Sequence, residues 1–339
     1  MAAARPCRSV ARALGLWLLT AKGASAVLYG QRQREAPDRP QKKLLVHDWS
    51  PVEQQTGMPE VADERSYVFL THHKTGTNLM KALCNLTARL VTGERTQCAY
   101  CLRLIPPMGA NDRPSCIPNT VLAHGPMRGT FSRFTLVSSV NEKEFSWLQT
   151  WGKDFRAVHM IRDPVKMAIS SYAYDTFLAT PAAAKIRWDA SVPNLANKSL
   201  AEKLKTEATA IAPPIVEEKA VHDLAKSDSR VLTLDLEAFS SDFNGAAARL
   251  FRHFFDDPPA EQLSRLMKNA SAYDVSLWNQ KQLDRQLEVH AARNFNATEA
   301  LEAWEQLRKA GDPVVQYISQ QAEPLGYGAN YTRRATFSR

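Results

Sequence analysis

Residues Tyr67 to Leu79 read YVFLTHHKTGTNL, and this stretch decides the fold. Tyr67-Val68-Phe69-Leu70 is a short apolar run of β-formers with charged residues just before it, the pattern of a central parallel strand buried on both faces. His72-His73-Lys74-Thr75-Gly76-Thr77 then makes a turn, and Thr77 or Asn78 is expected to cap a helix carrying Leu79, Met80, Leu83 and Leu90. A helix that opens this way aims backbone N–H groups at one point, which suits an anion. Gly76 permits close backbone approach, Lys74 adds a point charge, and the hydroxyls of Thr75 and Thr77 add donors. In the nucleoside-triphosphate loop G-x-x-x-x-G-K-[ST], lysine follows the second glycine. Here Lys74 precedes the only glycine.

Working outward, a second strand-to-helix junction lies at Phe155 to Tyr172. The apolar strand ending at Met160-Ile161 leads into Arg162-Asp163-Pro164, then Ser170-Ser171-Tyr172. Asp163 suits an N-cap and Pro164 a first helical turn. If the helix starts at Pro164, Ser170 lies roughly 10 Å along it, within the sweep of a bent arginine. Other expected strands are Asn119 to Ala123, ending at His124-Gly125-Pro126, and Arg230 to Leu236. Expected helices run over Glu142 to Trp151, from Val165 onward, over Phe243 to Phe255, Leu301 to Lys309 and Val314 to Gln321. Leu200 to Lys226 also has helical spacing, but Pro213-Pro214 predicts two helices there. Thr92 to Pro118 reads as a long loop. Strands alternating with helices give an α/β class: a central parallel sheet flanked by helices.

The chain has 339 residues, 44% of them hydrophobic, enough for a sizeable core. A net charge of +8 and pI near 9.2 favour anionic partners. No aromatic-basic RNA motif or zinc-finger spacing points to nucleic acid. Residues 1–26 carry Arg5, Arg8 and Arg12, an apolar run from Ala13 to Ala21 and Ala24-Ser25-Ala26, the pattern of a signal peptide or an uncleaved signal anchor. Residues 27–62 read as a stem or linker, 63–330 as the folded domain and 331–339 as a tail. N-x-S/T sequons at Asn85, Asn197, Asn269, Asn296 and Asn330 agree with a secretory route, with Asn85 inside a predicted helix and so not expected to be modified. Cys84, Cys98, Cys101 and Cys116 make two disulfides expected, with three pairings open. Cys98-x-x-Cys101 lacks a matching second pair for zinc, and no metal is expected.

H-K-T-G-T-N after a strand resembles the loop by which PAPS-dependent sulfotransferases hold the 5′ end of 3′-phosphoadenosine 5′-phosphosulfate (PAPS). Strand, R-[DN]-P and serine eight residues after the arginine resemble that family's clamp for the 3′-phosphate. Val231-Leu232-Thr233-Leu234-Asp235-Leu236-Glu237-Ala238-Phe239 and the final Leu325-Gly326-Tyr327-Gly328 are similar to later elements of the family, so the resemblance covers about residues 65 to 330. It implies a P-loop-like nucleotide-binding fold and transfer of a sulfuryl group to a hydroxyl or amine of an acceptor, with a carbohydrate and a Golgi-luminal address as the expectation. It implies cofactor contacts from Lys74, Thr75, Gly76, Thr77, Asn78, Arg162 and Ser170. Arg293 falls where the family has a late basic loop, though the R-K-G form is absent. Lys74 would stabilise the leaving phosphate and His124 would take the acceptor's proton, as histidine at this position does in many members while others use glutamate. His72 and His73 are rival bases, His159 reads as a core histidine and Glu237 as structural. Two other function classes remain: a nucleotide-dependent kinase or NTPase with Asp163 on magnesium, and a secreted glycan-binding protein without catalysis.

Overall fold

The computed structural model describes residues 65–92, 97–105, 115–118, 131–151, 153–178, 195, 198–279 and 296–327. The quoted stretch opens the sheet as β1 (Ser66–Leu70), with every residue buried. It leads through the loop into α1 (Thr77–Thr92), which buries Met80, Leu83, Cys84, Leu86 and Leu90. β2 (Ala99–Ile105), β3 (Ser115–Pro118) and β4 (Phe134–Val137) follow. α2 (Glu142–Thr150) precedes β5 (Phe155–Ile161), and α3 (Pro164–Leu178) and α4 (Leu200–Ala225) precede β6 (Val231–Asp235). Beyond β6 come α5 (Leu236–Ser241), α6 (Phe243–Phe254), α7 (Ala260–Ala270), two 3₁₀ turns, α8 (Ala297–Lys309) and α9 (Pro313–Gln320).

The six strands run in the order β3-β2-β4-β1-β5-β6. All neighbours are parallel except β2 and β3, so the expected parallel sheet carries one antiparallel edge. β1 sits between β4 and β5 because its four apolar side chains need cover on both faces. Tyr67 stacks on Phe134 across the pair, centroids 5.3 Å apart, and meets Phe254 of α6 edge-on. The parallel register sets Leu70 beside His159 in β5, and Ile161 of β5 beside Asp235 in β6. The chain segments leaving β1, β5 and β6 therefore emerge together at one edge, the crevice where open α/β sheets hold ligands.

Three sequence expectations change. Thr92 to Pro118 is not a loop throughout, since it contains β2 and β3. A register shift between Cys101 and Arg103 breaks the two-residue alternation that marks a half-buried strand. β4 was not predicted because four residues carry no readable period. α4 is one helix, with Pro213 and Pro214 inside it. A capping box at Ser199 and Glu202 starts it, and Leu204, Ala208, Ile211 and Ile215 form a buried stripe across both prolines, packed with residues of α3, α8 and α9. Tertiary burial outweighs the missing N–H groups. Pro213 lies on the exposed side of the helix. The expected strand at 119–123 lies outside the described residues.

Disulfides join Cys84 to Cys98 and Cys101 to Cys116, settling which of the three pairings holds. The first ties α1 to the approach of β2 and the second ties β2 to β3. Asn85 accepts a hydrogen bond from the Cys98 backbone N–H at 3.0 Å, within the same junction.

Candidate functional site

The loop after β1 is held in a shape that its residue types dictate. Gly76 has φ +93°, a backbone region that favours glycine, and a Cβ there would sit 2.7 Å from Leu236 Cδ1 at the start of α5, so that side chain would have to move aside. Gly76 also accepts the first intrahelical bond of α1, from Met80 N–H at 3.0 Å. Neither Thr77 nor Asn78 caps this helix, as the sequence had suggested; both lie within its first turn. Glycine brings no side-chain oxygen to the first amides, and the first turn holds no acid, so the end is electrostatically suited to an anion. Lys74 has φ +65°, a conformation that costs a lysine roughly 1–2 kcal/mol and is retained at few non-glycine positions.

The threonines hold the loop from within. Thr75 is buried; its hydroxyl donates to the His72 carbonyl at 3.0 Å and accepts from the His72 N–H at 2.8 Å. The Thr77 hydroxyl donates to the same carbonyl at 3.4 Å and lies 3.1 Å from the Thr71 hydroxyl. Thr75 therefore shapes the turn through its hydroxyl, where the sequence reading had it reaching a ligand. His72 is buried beneath the loop with its Nε2 2.9 Å from Nε2 of His159. Burial holds the His72 imidazole neutral, its pKa lowered to about 3, which disqualifies it as a base near neutrality. His159 is likewise buried and lowered, in keeping with its reading as a core histidine. His73 is exposed.

The second motif arrives beside the first. Asp163 Oδ1 accepts from Val165 N–H at 2.8 Å and Lys166 N–H at 3.4 Å, the predicted cap of α3. Arg162 extends across the sheet edge, and its Nη1 donates to the Lys74 carbonyl at 3.0 Å. Its Nε lies 3.4 Å from Glu237 Oε1, which Lys166 Nζ approaches at 3.5 Å, while its backbone N–H donates to buried Glu218 at 2.7 Å. Glu237, read from sequence as structural, thus aligns the arginine. Ser170 is half-buried in the second turn of α3. The closing Tyr327 donates to Asp235 Oδ1 at 2.8 Å and packs with Ile161, Ala322 and Leu325, fastening the C-terminal turn under the same edge.

Around Lys74 stand residues the sequence reading did not select. Its Nζ lies 3.6 Å from the centroid of the Tyr174 ring. Burial lowers its pKa to about 7, opposed by the charges of Asp175 and Glu207. Glu207 is fully buried, and burial together with Asp175 pushes its carboxyl up to about 7. In sequence Glu207 stands out only as an acid inside the apolar stripe of α4, four residues before Ile211, with nothing in that window to place it beside the loop. His124 and Arg293 lie outside the described residues. Among the described residues no group of three or more His, Cys, Asp or Glu is arranged to hold a metal.

No family model matches the chain, and no curated protein matches it. Among solved structures, it is similar to a mouse sulfotransferase, SULT7A1, complexed with PAP, at 12% identity and a TM-score of 0.39, over 75% of this chain and 88% of that one. It is also similar to a retinol dehydratase in complex with androsterone and the inactive cofactor PAP, at 14% identity and a TM-score of 0.43, over 76% and 80%. Both likenesses are weak, and neither says what this chain binds.

Proposed function

We propose that this protein is a sulfotransferase that moves a sulfuryl group from PAPS to a hydroxyl or amine, with a carbohydrate as the acceptor class. The observation that carries the reading is the hydrogen bond from Arg162 to the Lys74 carbonyl, through which two motifs 88 residues apart meet at one edge of the sheet. One nucleotide with phosphates at both ends needs two such anion sites side by side. In this reading the α1 terminus, Lys74 and Asn78 hold the 5′ end. Arg162 and Ser170 hold the 3′-phosphate; a guanidinium has five N–H donors, and two of its nitrogens are engaged here. Gly76 and the hydroxyls of Thr75 and Thr77 keep the loop open to that ligand. Lys74 supplies positive charge as the sulfur–oxygen bond to the phosphate breaks. His124 is the proposed base and Arg293 a further phosphate contact. The two disulfides and the leader-like N-terminus support a luminal address.

The test is titration with adenosine 3′,5′-bisphosphate (PAP) followed by incubation with sulfur-labelled PAPS and a panel of glycans, peptides and phenols. PAP binding that Lys74→Ala abolishes, with label transferred to at least one acceptor, is the expected result. Binding of magnesium-ATP in place of PAP would overturn the reading in favour of a phosphoryl-transfer enzyme.

A further inference from the structure

The start of α3 leaves one face open. Between Arg162 and Ser170 every residue is buried except Lys166. These three are spaced four residues apart, so a single stripe of the helix and the residues leading into it carries them all. A rise of about 1.5 Å per residue sets Lys166 and Ser170 roughly 6 Å apart along the axis. Glu237, from α5, ties the first two together: its Oε1 lies 3.4 Å from Arg162 Nε and 3.5 Å from Lys166 Nζ. The side chains of Arg162, Lys166 and Glu237 are 15%, 12% and 11% exposed, so solvent screens these charges little. One carboxylate thus stands against two cations. The neighbouring carboxyls of Asp163, Glu218 and Asp235 are each pushed up by burial, which draws protons onto them and leaves less carboxylate to cancel that surplus.

We infer that Lys166 is a further contact for the 3′-phosphate, beside Arg162 and Ser170, an assignment that rests on the PAPS-site reading above. A phosphate monoester carries close to two negative charges near neutrality, and a single guanidinium answers only one of them. The ammonium on the next turn supplies the second. It carries its donors on a flexible four-carbon stem, so it can swing from the long 3.5 Å contact with Glu237 onto a phosphate oxygen. Glu237 then stays with Arg162 and keeps the guanidinium aligned. The pair of cations makes this end of the site selective for adenosine bearing a 3′-phosphate over adenosine with a free 3′-hydroxyl.

The experiment is calorimetric titration of the full chain with PAP, joined to phosphorus-31 spectra of the PAP-saturated complexes, for the native protein, Lys166→Met and Lys166→Arg. Methionine keeps most of the stem and removes the charge. The Kd for PAP should rise about ten- to a hundredfold in Lys166→Met and stay within about fivefold of native in Lys166→Arg. In the spectra the 3′-phosphate resonance should move between the native and Lys166→Met complexes while the 5′-phosphate resonance stays, a split that a general disturbance of the pocket would not produce. Unchanged affinity in Lys166→Met, an equal loss in Lys166→Arg, or a 5′ resonance displaced as far as the 3′ would overturn the inference. Lys166→Gln, which keeps a donor toward Glu237, replaces the methionine variant if that protein does not fold. Failure of all three variants to fold would make Lys166 a structural partner of Glu237 and overturn the inference as well. Failure of the native chain to bind PAP would instead overturn the PAPS-site reading.

Discussion

Replacing Gly76 with alanine tests whether the loop has the shape described. Two costs are built into the position. At φ +93° an alanine pays roughly 1–2 kcal/mol for a backbone region that L-residues avoid. Its Cβ would also stand 2.7 Å from Leu236 Cδ1, and pushing that side chain aside costs on the order of 1 kcal/mol. The sum, about 2–3 kcal/mol, is a large share of the 5–15 kcal/mol typical of a folded domain. Urea unfolding followed by circular dichroism, with no reductant so that both disulfides stay closed, measures it. Adding Leu236→Ala separates the two parts. In the double variant the steric share should vanish, so the two substitutions should be less than additive by about 1 kcal/mol, while the backbone share persists. A Gly76→Ala protein within 0.5 kcal/mol of the native chain, still binding PAP, would refute the description of this turn.

Arg162→Lys keeps the charge but loses the planar fork that reaches the Lys74 carbonyl, so PAP affinity should fall ten- to a hundredfold, read by calorimetry. Glu207→Gln should stabilise the protein at pH 8. The folded carboxyl sits at about 7 against an ordinary 4.5, so the native chain loses stability as pH rises through that window, and glutamine removes a loss on the order of 1–3 kcal/mol. Equal melting temperatures for the two proteins at pH 8, with the same equality at pH 5, would count against a buried Glu207 with a raised pKa. Cys101→Ser with Cys116→Ser opens a link between residues 15 apart and should cost about 3 kcal/mol in urea, fraying β3, which pairs with β2 at the antiparallel edge.

Much of the fold was written in local pattern. β1, β5 and β6 announce themselves as apolar runs with cap-forming residues behind them, because strands buried on both faces leave no polar alternation to confuse the reading. β2 and β4 were hidden for opposite reasons, one by its bulge and the other by its brevity. α4 shows the limit of breaker residues: Pro213 and Pro214 are decisive in a peptide and outvoted where Ile211 and Ile215 are buried on either side of them. At the site, Lys74, Gly76 and Arg162 were legible because loop and junction motifs hold their partners a few residues away. Glu207, Glu218, Asp175 and Tyr174 were not, since their importance comes from α3 and α4 packing beside the loop, a contact no short window contains.

The two imidazoles beneath the loop have a consequence of their own. His72 and His159 meet nitrogen to nitrogen, so a single hydrogen serves both, and one ring must give while the other receives. The receiving ring carries its own hydrogen on Nδ1, and neither Nδ1 has a partner. The assembly always contains one buried donor with nothing to bond. Exchange of roles moves that unbonded donor between the loop after β1 and the strand beside it, leaving the heavy atoms where they are.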